Sequence, residues 1–249
     1  MQNYLSTLSS RPKGSSNVKN KDGISVLKVY SSTSGVELAK REIYKIVDER
    51  TALFLSGGST PKPLYQILAK EGKLKVGAVA MVDERFGPSF HQNSNEKMIK
   101  DTGLLSYLES RDIPLYGILK NKSLGKTARD YDSKVRKLLN QFPKSIAILG
   151  IGEDGHTASL RAGIQNSKVK SQKLAISIKD FPGEFRERIT LTFHALSQMD
   201  LLIVLVFGKE KRKALNLMFS GGPIGEIPAR FLNTPKVLKK TILITDQRV

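Results

Sequence analysis

The sequence contains no cysteine and no tryptophan, and only 7% of its residues are aromatic. The lack of cysteine excludes disulfides, a thiolate nucleophile and a cysteine-based zinc site. The shortage of aromatic rings leaves few groups on which nucleic-acid bases could stack. The longest apolar run, Leu201 to Phe207, is much shorter than the roughly 18 residues that indicate a membrane-spanning helix.

Acidic residues are also scarce, because 23 Asp and Glu stand against 41 Lys and Arg and give a net charge of +18. Such an excess raises nucleic acid, anionic membranes and anionic small molecules as partners. The basic residues are spread along the chain, which is more typical of a solvated surface than of a nucleic-acid-binding stripe. We therefore predict a small anionic substrate, and neither a specific nucleic acid nor a membrane as partner.

The first 23 residues are polar and rich in Ser, Asn and Lys, and they lack the apolar core of a secretory signal. This composition predicts a flexible polar leader over 1–23, followed by a single domain over 24–249. A transit peptide is the alternative, although Arg11 is the only arginine in the segment. We expect a cytoplasmic protein that is a monomer or a weak homodimer.

From residue 24 onward, short apolar runs alternate with segments of helical period, which is typical of an α/β fold with a mostly parallel, Rossmann-like sheet. Residues 161–172 are polar and are predicted as loop or weak helix. The predicted strands are 51–55, 76–82, 114–119, 145–151, 174–178, 188–193, 201–207 and 241–245, and the predicted helices include 36–47, 60–70, 94–105, 127–139 and 209–219.

Ligands of open parallel sheets bind beyond the carboxyl ends of the strands, and the residues that follow four predicted strands are polar or rich in glycine. The first group follows strand 51–55 and consists of Ser56, Gly57, Gly58, Ser59 and Thr60. Glycines let a backbone approach an anion, and a helix N-terminus adds free N–H groups. This loop is a candidate phosphate site, and a simple Ser/Thr helix cap is an equal alternative.

The second group is Asp83, Glu84 and Arg85, after strand 76–82. Charged side chains at the end of a buried strand need a partner or a ligand. An arginine there can hold a phosphate with two parallel hydrogen bonds, while an internal ion pair is the alternative interpretation.

The third group runs from Gly150 to Ser159 and places Asp154 and His156 on a glycine-rich turn. Its glycines satisfy the dinucleotide-binding spacing, but no crossover helix is predicted after them, so that match is weak. A histidine suits general-base catalysis near neutral pH. The adjacent Asp154 and glycines favour a functional role for His156 over a purely structural one.

The fourth group begins at Gly208 and includes Lys211, which could reach the same crevice as the first loop. A solvated basic helix face is the alternative for most lysines of this segment. Arg188, before an apolar run, and Arg230, after a proline, are further candidates for binding substrate.

These motifs together resemble the 6-phosphogluconolactonase family, which shares a sugar-phosphate-binding fold group with the glucosamine-6-phosphate deaminases. The resemblance covers about residues 25–245. One departure is Arg161-Ala162-Gly163, where the family often has Phe-Pro-Gly. The resemblance itself rests on SGGSTP at 56–61, DER at 83–85, SN at 94–95, LGIGEDGHTASL at 149–160, RITLT at 188–192, Gly208 with Lys211, and PAR at 228–230.

The resemblance implies hydrolysis of 6-phospho-D-glucono-1,5-lactone to 6-phosphogluconate, a step of the oxidative pentose phosphate pathway, with no metal and no cofactor. His156 would act as the general base and Asp154 would orient it. The loop 56–60, Arg85 and Lys211 would hold the phosphate, and N–H groups of the glycine turn would stabilise the oxyanion. Asp83 lies beside Arg85 in the predicted substrate site, and Arg188 and Arg230 would contact substrate hydroxyls or the phosphate.

Two other functions remain open at this point. A glucosamine-6-phosphate deaminase would use Asp83 to move a substrate proton and His156 to assist ring opening. A non-catalytic sugar-phosphate-binding protein would need neither residue as an acid or base. Arg85 after Asp83-Glu84, and Thr157 after His156, favour the lactonase branch.

Overall fold

The computed structural model describes residues 18–21, 23–163 and 172–248. Most of the predicted leader therefore lies outside the described residues, as does most of the predicted loop 161–172. Within the leader, Val18–Lys21 forms strand β1 and pairs antiparallel with β2, Ile24–Lys28. The sheet thus includes some residues of the predicted leader, and the boundary at residue 24 stays a prediction.

The described chain forms strands and helices in alternation, with a few short 3₁₀ helices between them. The strands that follow β2 are β3 Thr51–Leu55, β4 Ala78–Met81, β5 Asp83–Arg85, β6 Leu115–Tyr116, β7 Lys144–Gly150, β8 Ala175–Ile178, β9 Arg188–Leu191, β10 Leu201–Val206 and β11 Thr241–Thr245. The α-helices are α1 Ser32–Ile46, α2 Lys62–Glu71, α3 Asn95–Asp101, α4 Leu104–Glu109, α5 Leu124–Gln141, α6 Phe193–Gln198 and α7 Arg212–Phe219.

Eight strands form the main sheet in the order β1-β2-β11-β10-β7-β3-β4-β6, and every pair except β1 with β2 is parallel. The central strands β3, β4 and β10 are buried along their whole length. Apolar residues on both faces suit strands that are covered by helices on both sides. The predicted α/β fold with a mostly parallel sheet is confirmed.

A second, antiparallel sheet of three strands has the order β5-β9-β8. The apolar pattern predicts β8 and β9 as strands, but it does not predict that they leave the main sheet. Asp83–Arg85, predicted as the turn after a strand, forms the third strand of this small sheet. Asp83 follows β4 after one residue, so β5 connects the small sheet directly to the edge at which β4 ends.

The helix predicted over 94–105 is two helices, α3 and α4, because the backbone turns between them. Gly103 has a φ of 80°, which is the left-handed region that glycine adopts most readily. The Thr102 hydroxyl donates to the carbonyl of Ile99 and ends α3. No helix in the described ranges is long and apolar enough to cross a membrane.

Strand order determines which loops meet. Strands β10, β7, β3 and β4 are successive neighbours and run in the same direction. The four polar segments that follow them therefore gather at one edge of the sheet, as is usual for ligand sites of such folds. These segments begin at Gly208, Gly150, Ser56 and Asp83.

Candidate active site

A cavity of about 190 Å³ lies at this edge of the sheet. All four carboxyl-end segments contribute to its wall, together with β9 and the start of α3. Ten of the twelve predicted site residues line it. Its lining consists of Ser56, Gly57, Gly58, Ser59, Thr60, Pro61, Asp83, Arg85, Asn95, Gly150, Ile151, Gly152, His156, Ala158, Arg188 and Lys211.

The loop 56–60 packs tightly against the start of α3. A Cβ atom added to Gly57 would lie 1.9 Å from Oδ1 of Asn95, so only glycine fits there without movement. The Tyr65 hydroxyl donates to the Ser56 carbonyl at 2.9 Å and holds the loop from below. The Ser56 hydroxyl is buried and has no hydrogen-bond partner among the described residues. A buried donor without a partner is unusual in proteins, and it is available for a ligand.

His156 and Asp154 contact each other directly on the turn after β7. His156 Nδ1 lies 2.5 Å from Asp154 Oδ1, and the His156 backbone N–H donates to the same oxygen at 3.1 Å. A Cβ at Gly152 would come within 2.1 Å of the imidazole, so this glycine makes room for the ring. Because the carboxylate accepts from Nδ1–H, the neutral ring carries its free lone pair on Nε2.

Most of the N–H groups predicted to stabilise an oxyanion already have acceptors. Gly152 donates to the His156 carbonyl, Gly155 to the Gly152 carbonyl and Thr157 to the Leu160 carbonyl. The His156 N–H donates to Asp154, as described above. These hydrogen bonds stabilise the turn, and they make the four groups poor candidates for an oxyanion site.

Asp83 is buried beneath the cavity and is held by two side chains. The Ser159 hydroxyl donates to Asp83 Oδ2 at 2.6 Å. The Asn95 amide donates to the Asp83 carbonyl at 2.9 Å and approaches Oδ1 at 3.5 Å. This carboxylate therefore has a fixed orientation toward the cavity.

Arg85 and Arg188 are paired across β5 and β9, so two guanidinium groups lie on the same wall. Arg85 Nη1 donates to the Asn93 carbonyl, while its buried Nε has no hydrogen-bond partner among the described residues. Arg188 Nε donates to the Phe185 carbonyl at 2.8 Å. Burial lowers the pKa of Arg188; the nearby charge of Asp83 opposes this shift, and the charge of Arg85 adds to it. Two adjacent cations favour an anionic ligand between them.

Lys211 lines the cavity from the 3₁₀ turn Lys209–Lys211, and the side chain of Lys211 is only 19% exposed. Its ammonium group lies 4.0 Å from Glu153, which is the limit of an ion pair. The cavity thus combines three cations, an unpartnered hydroxyl and an imidazole beside a carboxylate. This arrangement suits a substrate with an anionic group at one end and an acyl carbon at the other.

A family model described as glucosamine-6-phosphate isomerases/6-phosphogluconolactonase matches residues 32–242. The chain belongs to this family. A relative from Nostoc sp., named 6-phosphogluconolactonase, is 31% identical over 182 residues, covering 69% of this chain and 72% of the relative. A relative of the same name from Thermotoga maritima is 29% identical over 202 residues, covering 79% of this chain and 87% of the relative.

Solved structures agree with the family assignment. The crystal structure of the Thermotoga maritima 6-phosphogluconolactonase has a TM-score of 0.70 and 25% identity, and covers 88% of this chain and 97% of that one. The structure of a monomeric glucosamine-6-phosphate deaminase has a TM-score of 0.69 at 20% identity, and the match covers 88% of this chain and 96% of the deaminase. The deaminase likeness shows a common fold. The family and fold predicted from the motifs are thus confirmed.

Two predicted site residues of this family member do not line the cavity. Asp154 contacts the cavity only through His156. The Arg230 guanidinium is used elsewhere: it donates to the carbonyls of Leu217 and Pro223 and to side chains of Ser220 and Glu226. Arg230 therefore connects α7 to the segment 220–226 and does not line this cavity, and its role in binding substrate stays a prediction.

Several residues at this site were not among the predicted site residues. Asn95 lines the cavity, and Ser159 holds Asp83. Glu84 is fully buried and accepts the backbone N–H groups of Arg85, Asn95 and Glu96 at 2.7 to 2.8 Å. Burial raises the pKa of Glu84 to about 8 in spite of these donors. The signal for Glu84 was its place between Asp83 and Arg85 at the end of a buried strand.

The carboxyl group of Asp154 is expected to remain ionised at pH 3. Its pKa is lowered from 3.8 to about 2, chiefly by the hydrogen bond with His156. Because the folded-state pKa is the lower one, this group stabilises the fold above about pH 4 and that contribution is lost as the pH falls toward 2. The carboxyl ¹³C shift of Asp154 against pH measures this directly.

The His156→Ala variant is the control for that titration. Without the imidazole, the Asp154 carboxyl should titrate closer to the ordinary aspartate value. The same low midpoint in both proteins would show that His156 is not the cause.

Among the described residues no group of three or more His, Asp or Glu is placed to hold a metal ion, and metal-free chemistry stays a prediction.

Proposed function

We propose that this protein hydrolyses 6-phospho-D-glucono-1,5-lactone to 6-phosphogluconate. The observation that carries the proposal is the contact of His156 Nδ1 with Asp154 at 2.5 Å, which leaves Nε2 as the acceptor in a cavity walled by cations. The names of the relatives support the same reaction. The predicted cytoplasmic location and the predicted monomer or weak dimer stay predictions.

The phosphate of the substrate would bind at the loop 56–60. Backbone groups and hydroxyls of that loop, together with Arg85 and Lys211, supply donors and positive charge on one side of the cavity. Charged donors are the strongest protein ligands for a phosphate. Binding at this remote group fixes the position of the lactone carbonyl without taking part in the reaction itself.

The proposed reaction needs one proton to be moved twice. His156 Nε2 takes a proton from water as the water oxygen bonds to C1 of the lactone, and the carbonyl becomes a tetrahedral oxyanion. The bond between C1 and the ring oxygen then breaks, and the imidazolium returns the proton to that oxygen as it leaves. The carboxylic acid formed at C1 loses its own proton to solvent. Asp154 holds the ring in the required tautomer and stabilises the imidazolium.

The oxyanion needs a donor other than the turn N–H groups that are already engaged. Arg188 is the strongest candidate, since it lines the cavity and, among the described residues, only its Nε has a hydrogen-bond acceptor, the Phe185 carbonyl. Its two terminal nitrogens would face the substrate. Arg188 would thus act at the carbonyl end of the substrate, rather than on its hydroxyls or its phosphate.

A deaminase is the second candidate because its fold is shared and Asp83 lines the same cavity. In this chain the Asp83 carboxylate is occupied by Ser159 and Asn95, so it is less free to move a substrate proton. The presence of Arg85 after Asp83-Glu84 also favours the lactonase.

The proposal is tested by hydrolysis of freshly generated 6-phosphoglucono-δ-lactone, with coupled oxidation of 6-phosphogluconate as the readout. The uncatalysed rate must be subtracted because the lactone also hydrolyses spontaneously. We expect a rate well above that background. A rate equal to the background, with ammonia released from glucosamine 6-phosphate, would replace the lactonase proposal with the deaminase.

A further inference from the structure

One aromatic ring contacts both the histidine and an arginine of the candidate active site. This ring is Phe181, which lies in the segment 179–187 between β8 and β9. The Phe181 and His156 rings are 5.4 Å apart, centroid to centroid, with an interplanar angle of 87°. The guanidinium carbon of Arg188 lies 4.1 Å from the Phe181 centroid. Phe181 is only 7% exposed, so its ring is largely shielded from water.

The position of Phe181 is fixed from both sides. The Phe181 N–H donates to the Arg186 carbonyl at 3.0 Å and closes the segment 179–187 on itself. Asp180, the preceding residue, forms an ion pair at 2.6 Å with Arg161. Arg161 follows the turn that carries His156, and its Nη1 also donates to the Ala162 carbonyl. The ion pair between Asp180 and Arg161 therefore connects the segment that carries Phe181 to the chain that follows the His156 turn.

Phe181 contacts two side chains, His156 and Arg188, whose positions have few other restraints. Within the described part of the chain, the His156 side chain makes one hydrogen bond, through Nδ1, so the ring can still rotate about that bond. A ring at right angles to the imidazole limits this rotation. The Arg188 side chain makes one hydrogen bond to the described residues, from Nε, and the face of Phe181 limits where its terminal nitrogens lie.

We propose that Phe181 is a positioning residue that sets the imidazole of His156 and the guanidinium of Arg188 relative to each other. This inference rests on the proposed lactonase function, because it concerns the relative position of the base and of the donor to the carbonyl oxygen. Phe181 touches neither water nor substrate in this scheme, and it acts through the two side chains that it contacts.

The test uses Phe181→Leu, which keeps an apolar side chain of similar bulk but removes the ring. We expect kcat for lactone hydrolysis to fall about tenfold, since small displacements of reacting groups are costly. The KM should rise by less than about threefold, because Arg85, Lys211 and the loop 56–60 still hold the phosphate. Phe193→Leu is the matched control: Phe193 is buried to a similar degree, its ring packs against Phe231 at 4.8 Å between centroids, and it does not line the candidate active site.

A second readout does not depend on turnover. The Cε1–H resonance of His156, assigned by its loss in His156→Ala, should shift in Phe181→Leu because the neighbouring ring current is gone. It should stay in place in Phe193→Leu, whose ring packs against Phe231 instead. If the wild type has no lactonase activity, the proposed function fails while this spectrum still tests the position of the ring. An unchanged resonance in Phe181→Leu, or an equal loss of kcat in both leucine variants, would overturn the proposal.

Asp180→Asn provides a variant that leaves the core untouched, since the Asp180 side chain is 57% exposed. Losing the ion pair with Arg161 loosens the segment without removing the ring. We expect a smaller fall in kcat of about two- to fivefold, with a shifted or broadened His156 resonance. If Phe181→Leu does not fold, wild-type kcat and an unchanged spectrum in Asp180→Asn would count against Phe181 as a positioning residue.

Discussion

His156→Ala is expected to lower kcat for lactone hydrolysis by roughly 10²- to 10⁴-fold, which is the usual contribution of a positioned general base. The KM should change by less than about threefold, because the imidazole contacts the reacting water and not the phosphate. The measurement is the initial rate on fresh lactone at several concentrations, with the spontaneous rate subtracted at each one. The residual rate should come from binding alone.

His194→Ala is the matched control for that variant. His194 is on α6, where Nε2 contacts the side chain of Gln198, and it lines a different, mostly apolar cavity. We expect kcat and KM of His194→Ala to equal those of the wild type. A His156→Ala protein that is folded and retains more than about a tenth of the wild-type kcat would rule out His156 as the base.

The central part of the fold could be predicted because its signals are local. Runs such as TALFL at 51–55 and LLIVLV at 201–206 are buried on both faces, and a parallel sheet covered by helices buries such runs completely. The polar segments after them then had to meet at one edge. This is why ten of the predicted site residues line one cavity.

The small antiparallel sheet could not be predicted, since its pairing connects distant parts of the chain. Arg85 and Arg188 become neighbours through the register of β5 with β9, and nothing in either local pattern specifies that register. The contact of Phe181 with His156 has the same origin. Phe181 reads in the sequence as an isolated aromatic residue between a lysine-aspartate pair and a proline.

Arg230 belongs to a motif of the family resemblance but does not line the cavity. Proline and alanine before it made it a candidate for the substrate, but its donors are satisfied by carbonyls and side chains of its own surroundings. A sequence motif indicates that a residue type matters at a position. It does not distinguish an arginine that binds a ligand from one that holds two segments together.

The net charge of +18 contributes little to the specificity of the site. Among the described residues, three basic side chains line the cavity, namely Arg85, Arg188 and Lys211. A few desolvated cations act strongly on a bound phosphate, whereas exposed charges are screened by salt within about 10 Å. The remaining basic residues can speed the encounter with an anionic substrate at low salt, but they do not choose that substrate.

Lys211→Ala is therefore expected to raise KM for the phosphorylated lactone by about 10- to 100-fold, with kcat changed by less than about threefold. A hydrogen bond to a charged group contributes roughly 1.5–3 kcal/mol, and each 1.4 kcal/mol is about a factor of ten in an equilibrium constant. Because the phosphate is remote from the carbonyl, this loss is felt equally in the ground state and the transition state. Steady-state kinetics on the fresh lactone measures both constants.

Two comparisons isolate the role of Lys211 as a phosphate ligand. Lys213→Ala removes the same charge two residues further on, where the side chain is exposed and does not line the cavity, and its KM should stay within about twofold of the wild type. Glucono-δ-lactone, which lacks the phosphate, should be hydrolysed equally by wild type and Lys211→Ala. An equal defect on both substrates would place Lys211 at the lactone ring instead, and phosphate binding would then rest on Arg85 and the loop 56–60.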